Sequence, residues 1–422
     1  MQSKPWLAGL IAGLLLGVAP PLVAATPLKF WTFLTVDSPD PRSAALKGVI
    51  DGFNRSQSEY EVQIQSINYG RIDNQVIQAT AAGEGPDIIN VYSDLLPMHI
   101  AAKTIVPLDT YVSKMNAAER NDFVMPLKLF QEGGKQMAIP WETRVWLLWY
   151  RKDLLANAKL QPPKTLDELG QVAGKLTTAQ VMGFALGAST GNLGAGAYET
   201  FIPLLWGAGG DITDAQGKAA FNSDAGVRVL TFMRDLVTKY HGMRTTVVSM
   251  TADDMVSSFK AGTAAMIIGG SYRVAAARTG LPSDALVTGP IPGWNADKPS
   301  PARVAGQTLA IGANSKNKDG AWKFIEYYLS AQSQLSFAKA GVMPVRTSVY
   351  KDAFFQTTAQ GEETQRWAAY ARDYGRLTRT PTDFAKLSES LARAIQEVLL
   401  KNADPRQALN TAASEYNSQH KE

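Results

Sequence analysis

The chain has 422 residues, 45% of them hydrophobic and 19% charged, with 42 basic against 38 acidic side chains and no cysteine. That length exceeds what one hydrophobic core usually organises and predicts two domains, while the composition excludes a disordered or fibrous chain. The lack of cysteine excludes disulfides, thiolate metal sites, cysteine nucleophiles and a lipid-bearing cysteine, and interleaved charges summing to +4 predict no nucleic-acid partner.

Lys4 precedes an apolar run from Trp6 to Val18, after which come Pro20, Pro21 and the small residues Val23, Ala24 and Ala25. The run is too short to cross a bilayer comfortably, so residues 1–25 read as a secretory signal peptide cleaved after Ala25. The mature chain is then expected to be exported, periplasmic and soluble, without a lipid anchor. From Pro27, "LKFWTFL" reads as a strand, "SAALKGVIDGFNRS" as an amphipathic helix, "YEVQIQSIN" as a strand, "DNQVIQATAAGEG" as a helix closed by glycines, and "PDIINVYS" as a buried strand. That alternation predicts an α/β fold. Past Pro140, "RVWLLWYR" is a further strand, and Thr165, three residues before Glu168, gives "TLDELGQVAGKL" a capping box. Apolar residues at helical spacing mark "SDAGVRVLTFMRDLVTKY", "DGAWKFIEYYLS" and "AKLSESLARAIQEVLLKN".

Catalytic patterns are lacking. His99, His241 and His420 stand far apart without metal-ligand spacing, and no metal or other cofactor is expected. "GNLGAG" lacks a following Lys-Ser/Thr and reads as a flexible loop, and "GASTG" does not have the spacing of a nucleophile elbow. Adjacent carboxylates such as Asp253 with Asp254 read as helix starts or wet surface rather than as a separated acid and base.

An ordered series of fragments runs along the chain: "LKFWTF", "GFNRSQSEYEVQ", "ATAAGEGPDIINVYSD", "KTIVPLD", "AIPWETRVWLLWYRKDLL" with "PPKTLDEL", "FKAGTAAMIIGGSY", "GQTLAIGANSKNKDGAWKFIEYYLSAQSQ" and "AGVMPVR". In this order they resemble the family 1 extracellular solute-binding proteins of ABC importers. The resemblance implies a two-lobed fold, like type II periplasmic binding proteins, whose cleft closes by hinge motion on a saccharide or sugar derivative. It implies a membrane permease as partner, a monomer, and no enzymatic activity. A secreted enzyme on a similar scaffold and a ligand-presenting sensory module are the rival classes. The expected lobes are residues 26–139 with 306–331, and 140–305 with 332–422, the chain crossing near 138–140, 304–307 and 330–333.

The same resemblance nominates the cleft. Trp141, Glu142 and Arg144 follow the first crossing and border it, while Trp149 reads as core and Trp146 stays open between core and cleft, core first. Asp94, at a strand end, either accepts a sugar hydroxyl or caps the next helix. Tyr272 offers a stacking face for a sugar ring. Trp294 is either a lid or packed on its own lobe, and Phe33 and Glu199 align loosely with cleft-lining positions. Arg71, Arg144, Arg273 and Arg346 suggest an anionic sugar or a glycerol phosphodiester, because arginine is a two-pronged donor to anions; Arg346 ranks first among them.

Overall fold

The computed structural model describes Met1 and residues 24–282, 284–377 and 380–420, so residues 2–23 of the expected signal peptide lie outside the described residues. The strands in chain order are β1 (Thr26–Thr32), β2 (Tyr60–Ser66), β3 (Ile88–Tyr92), the short pair β4 (Gln131–Glu132) and β5 (Lys135–Gln136), β6 (Ile139–Arg151), β7 (Met182–Ala185), β8 (Ala264–Gly270), β9 (Leu286–Gly289), β10 (Ala302–Ile311), β11 (Met343–Pro344) and β12 (Gly375–Leu377). The main sheet runs β2-β1-β3-β10-β6-β8-β7. β1 pairs parallel with β2 and β3, whereas β10 is antiparallel to both β3 and β6.

The early helices follow from their sequence. In Pro41–Ser56, Asp40 caps the first turn by accepting from the Arg42 amide, Pro41 opens the helix, and Leu46, Val49, Ile50 and Phe53 share the buried face. Helix Leu166–Leu176 has the capping box in full, with Thr165 and Glu168 bonded to each other's amides.

Two bodies share the long strand β6. Its first half, to Val145, pairs with β10, and its second half pairs with β8 and β9. Alternation in β3 sends Ile88 to an apolar core on one side of the first sheet, with Leu28, Phe30 and Phe324, and sends Ile89 and Val91 to a core on the other. A larger second core collects Val145 to Trp149, Phe201, Met266 and the C-terminal helix residues Leu391 and Ile395.

The segment at the third expected crossing has close contacts with the first core. Helix Ala331–Lys339 packs in the first core, where Phe337 lies 5.1 Å from the Trp141 ring and 4.9 Å from Tyr328. Val342 and Val345 belong to the same core, while Met343 between them belongs to the second, as does Trp367 further on. Helix Ala331–Lys339 is thus anchored in the first core by its own apolar residues.

Candidate ligand-binding cleft

A cavity of about 490 Å³ opens between the two bodies. The first body contributes Phe33, Arg42, Asn68, Tyr69 and Tyr92; the second contributes Tyr198, Glu199, Asp253, Tyr272 and Arg273; Arg144 of β6 and Arg303 of β10 lie between them. The volume falls in the range of about 300–1,000 Å³ typical of small-molecule sites.

Strand alternation sets the central wall. Glu142, Arg144 and Trp146 share one face of β6, and Trp141 and Thr143 take the other. Glu142, 1% exposed, accepts from Arg144 Nε at 2.8 Å and from Nη2 at 2.9 Å, a two-pronged ion pair that fixes the guanidinium plane. Arg144 Cζ then lies 4.0 Å from the Tyr272 ring centroid, 5.7 Å from Tyr92 and 5.8 Å from Phe33. Phe33 and Tyr69 meet edge-on at 5.5 Å. The result is an arginine ringed by aromatic faces, offering apolar area and hydrogen-bonding groups together.

A second arginine is deeper. Arg303, 1% exposed, pairs with Asp94, donates from Nη2 to the Tyr92 hydroxyl at 2.9 Å, and lies 4.0 Å over the Trp146 ring. Its Nε and Nη1 have no hydrogen-bond partner. At the rim, Arg273 Nε donates to the Tyr272 hydroxyl at 2.8 Å and its Nη1 pairs with Asp253, while Arg42 pairs with Asp40. Each arginine lining the cavity thus has its own carboxylate. Glu199 is different: burial pushes its carboxyl above the ordinary glutamate range, against the opposing pull of Arg303, Arg273, the Trp146 side chain and Arg144. Its helix, Ala195–Gly207, begins after Gly194, whose φ of +65° and closeness to the Ser388 carbonyl exclude a side chain. "GNLGAG" is accordingly no free loop: residues Gly191–Gly194 form the 3-10 turn that starts this helix.

Of the nominated residues, Phe33, Arg144, Glu199, Tyr272 and Arg273 line the cleft together. The others, Glu142 among them, lie outside its lining. Trp141 is 1% exposed in the first core, its Nε1 donating to Asn90 Oδ1 at 3.1 Å, because the register of β6 against β10 skips from Glu142 to Pro140 and leaves the indole turned inward. Asp94 does not line the cavity; it is buried behind it as the partner of Arg303. Trp294 packs on its own lobe, donating to the Leu204 carbonyl at 2.8 Å, with Arg228 Cζ 4.1 Å from the ring. Arg346 lies on a separate groove with Tyr111 and Trp322, held 3.3 Å from Asp122 and bonded to the Glu119 carbonyl. Arg71 is exposed at the start of helix Ile72–Ala81, outside the lining.

Sequence reading missed Arg42, Tyr69, Tyr92, Tyr198 and Arg303. For Arg303 a signal existed: a lone charge in the strand "ARVAGQTLAI", whose other positions are neutral, is rarely buried unless paired and functional. Among the described residues no group of His, Asp and Glu is arranged to hold a metal, and no helix is long and apolar enough to cross a membrane.

The sequence profile of the bacterial extracellular solute-binding proteins matches residues 37–335. A probable ABC transporter-binding protein of Deinococcus radiodurans is 28% identical over 297 residues, 66% of this chain and 68% of that one. Among solved structures, the maltose-bound MalE3 of T. maritima superposes with a TM-score of 0.79 at 24% identity, covering 94% of this chain and 100% of that one. UgpB of Mycobacterium tuberculosis in complex with glycerophosphocholine gives 0.77 at 18% identity, covering 94% and 98%. The family and fold are those of binding proteins, and with a profile spanning most of its length, the chain belongs to the bacterial extracellular solute-binding protein family.

Proposed function

We propose that this protein is the substrate-binding component of an ABC importer, taking a saccharide or sugar derivative into the interlobe cleft and presenting it, after hinge closure, to a membrane permease. The observation that carries the reading is the Tyr272–Arg144–Glu142 stack beside Phe33 and Tyr69. Pyranose rings have apolar C–H faces that suit aromatic surfaces, and their hydroxyls need the charged and phenolic groups set around those surfaces. The name of the Deinococcus relative supports the importer, and the maltose-bound neighbour supports the sugar. The arginines alone would favour a glycerol phosphodiester, the class of ligand in UgpB, yet each is already matched by a carboxylate, which puts the saccharide first. On this reading Phe33, Tyr69, Arg144, Glu199 and Tyr272 contact the solute, and the chain is exported with cleavage near Ala25 to act unlipidated in the periplasm.

A thermal-shift screen over neutral, amino and acidic sugars, polyols and glycerol phosphodiesters tests this, since a ligand that binds only the folded state raises its melting temperature. A sugar is expected to give the largest rise. A response confined to non-sugars contradicts the reading.

A further inference from the structure

The buried ion pair of Arg303 and Asp94 has an asymmetry about the cleft wall: the cation reaches the cavity, and its carboxylate partner does not. Arg303 commits Nη2 to Asp94 and the Tyr92 hydroxyl, which leaves Nε and Nη1, three of its five N–H groups, without partners. Donors buried to 1% exposure and left unpaired are costly unless a ligand or water completes them, so the wall is built to receive acceptor oxygens there. Nη1 lies on the Cδ side of the guanidinium and Nε–H on the opposite edge, so these free donors reach separate acceptor oxygens rather than forming one two-pronged grip. A ligand carboxylate or sugar hydroxyls can each supply such an acceptor.

Charge separates the two. Asp94 already neutralises Arg303, and Glu199, on the adjoining wall, adds a second carboxylate, which also feels Arg273 and Arg144. The acids acting on Arg303 are Asp94 and Glu199, and a ligand carboxylate placed against this arginine would make a third in a low-dielectric pocket. Neutral hydroxyls can accept from Arg303 and donate to Glu199 in the same pose.

We propose that Arg303 and Glu199 form a donor–acceptor couple reading two neighbouring hydroxyls of an uncharged sugar, and that Asp94, without touching the ligand, sets the site's preference against anionic sugars. Asp94 is thus a positioning and charge-setting residue. The inference rests on the sugar-binding reading above.

The test uses two probes: the neutral oligosaccharide that binds most tightly in the screen, and its counterpart with one primary alcohol oxidised to a carboxylate. Calorimetry gives the affinity ratio of the two for wild type, Asp94→Asn and Glu199→Gln. Wild type is expected to prefer the neutral probe. Asp94→Asn keeps the shape and one acceptor for Arg303 while removing the charge, and is expected to move the ratio at least about tenfold toward the acidic probe. Glu199→Gln should move it in the same direction, which keeps the test decisive if Asp94→Asn fails to fold. A ratio unchanged in the folded variants, with the neutral sugar still bound, overturns the charge assignment alone. Failure of every sugar to bind wild type overturns the sugar-binding reading and this inference with it.

Discussion

The Arg144 guanidinium lies 4.0 Å from the Tyr272 ring centroid while both its Nε and its Nη2 are bonded to Glu142. One residue belongs to the strand shared by the two bodies and the other to the turn after β8, so this contact ties the floor of the cleft to the second lobe. Glu142 holds the arrangement from below. Glu142→Gln leaves Arg144 without its charge partner in a buried setting, and we expect a loss of about 3 kcal/mol in urea unfolding. A change within about 0.5 kcal/mol would show that solvent in the cleft, not Glu142, compensates the cation.

Trp141→Ala should act on stability and not on affinity. The indole is buried against Tyr328 and Phe337, and its backbone carbonyl accepts from Gln334 Nε2, so truncation opens a cavity costing about 3–5 kcal/mol. Chemical denaturation measures the loss, and titration of the protein that remains folded should give the wild-type affinity for a cleft ligand. Lost affinity at unchanged stability would return Trp141 to the binding surface.

That reversal shows what the sequence could and could not tell. The α/β alternation, the capping box at Thr165 and the helical faces were legible because each is a local pattern of a few residues. Trp141 and Arg144 were both placed at the cleft, yet the indole packs in the first core and only Arg144 lines the cavity, and the register skip beside Trp141 depends on pairing with β10, which lies far away in the sequence. Arg346 offered no such clue. Its fragment does lie beside the shared strand, with Met343 paired to Thr143 and Pro344 to Glu142, but which side of the sheet it reaches depends on long-range packing against Asp122 and Glu119. Arg303 was readable as a charge inside a strand, but its partner Asp94 lies 209 positions away.

Arg346 accordingly should not matter to solute binding. Arg346→Ala breaks its contacts with Asp122 and the Glu119 carbonyl, and a stability loss on the order of 1 kcal/mol is expected. Calorimetry should show unchanged affinity for any cleft ligand. A tenfold loss would place the binding site on the groove beside Tyr111 instead.

Glu199 predicts a pH dependence with a definite sign. Burial raises its folded-state pKa above the ordinary value of 4.5, so the folded protein holds this proton more tightly than the unfolded chain does. Its contribution to stability is full below 4.5 and is lost as pH rises through the higher folded-state value. Melting temperatures of the ligand-free protein across this window should therefore fall more for wild type than for Glu199→Gln, leaving the variant the more stable near neutrality. Parallel curves would mean that the neighbouring arginines fully offset the burial.

The central claim is that sugar is held against the Tyr272 face in the interlobe cleft. Calorimetric titration of wild type and Tyr272→Ala with the same screened oligosaccharide addresses it most directly. The account predicts one-to-one binding to wild type, weakened by about 1–3 kcal/mol in the variant, with the ligand-free melting temperature nearly unchanged because Tyr272 is only half-buried. Equal affinity in the two proteins would contradict it and move the sugar away from the cleft floor.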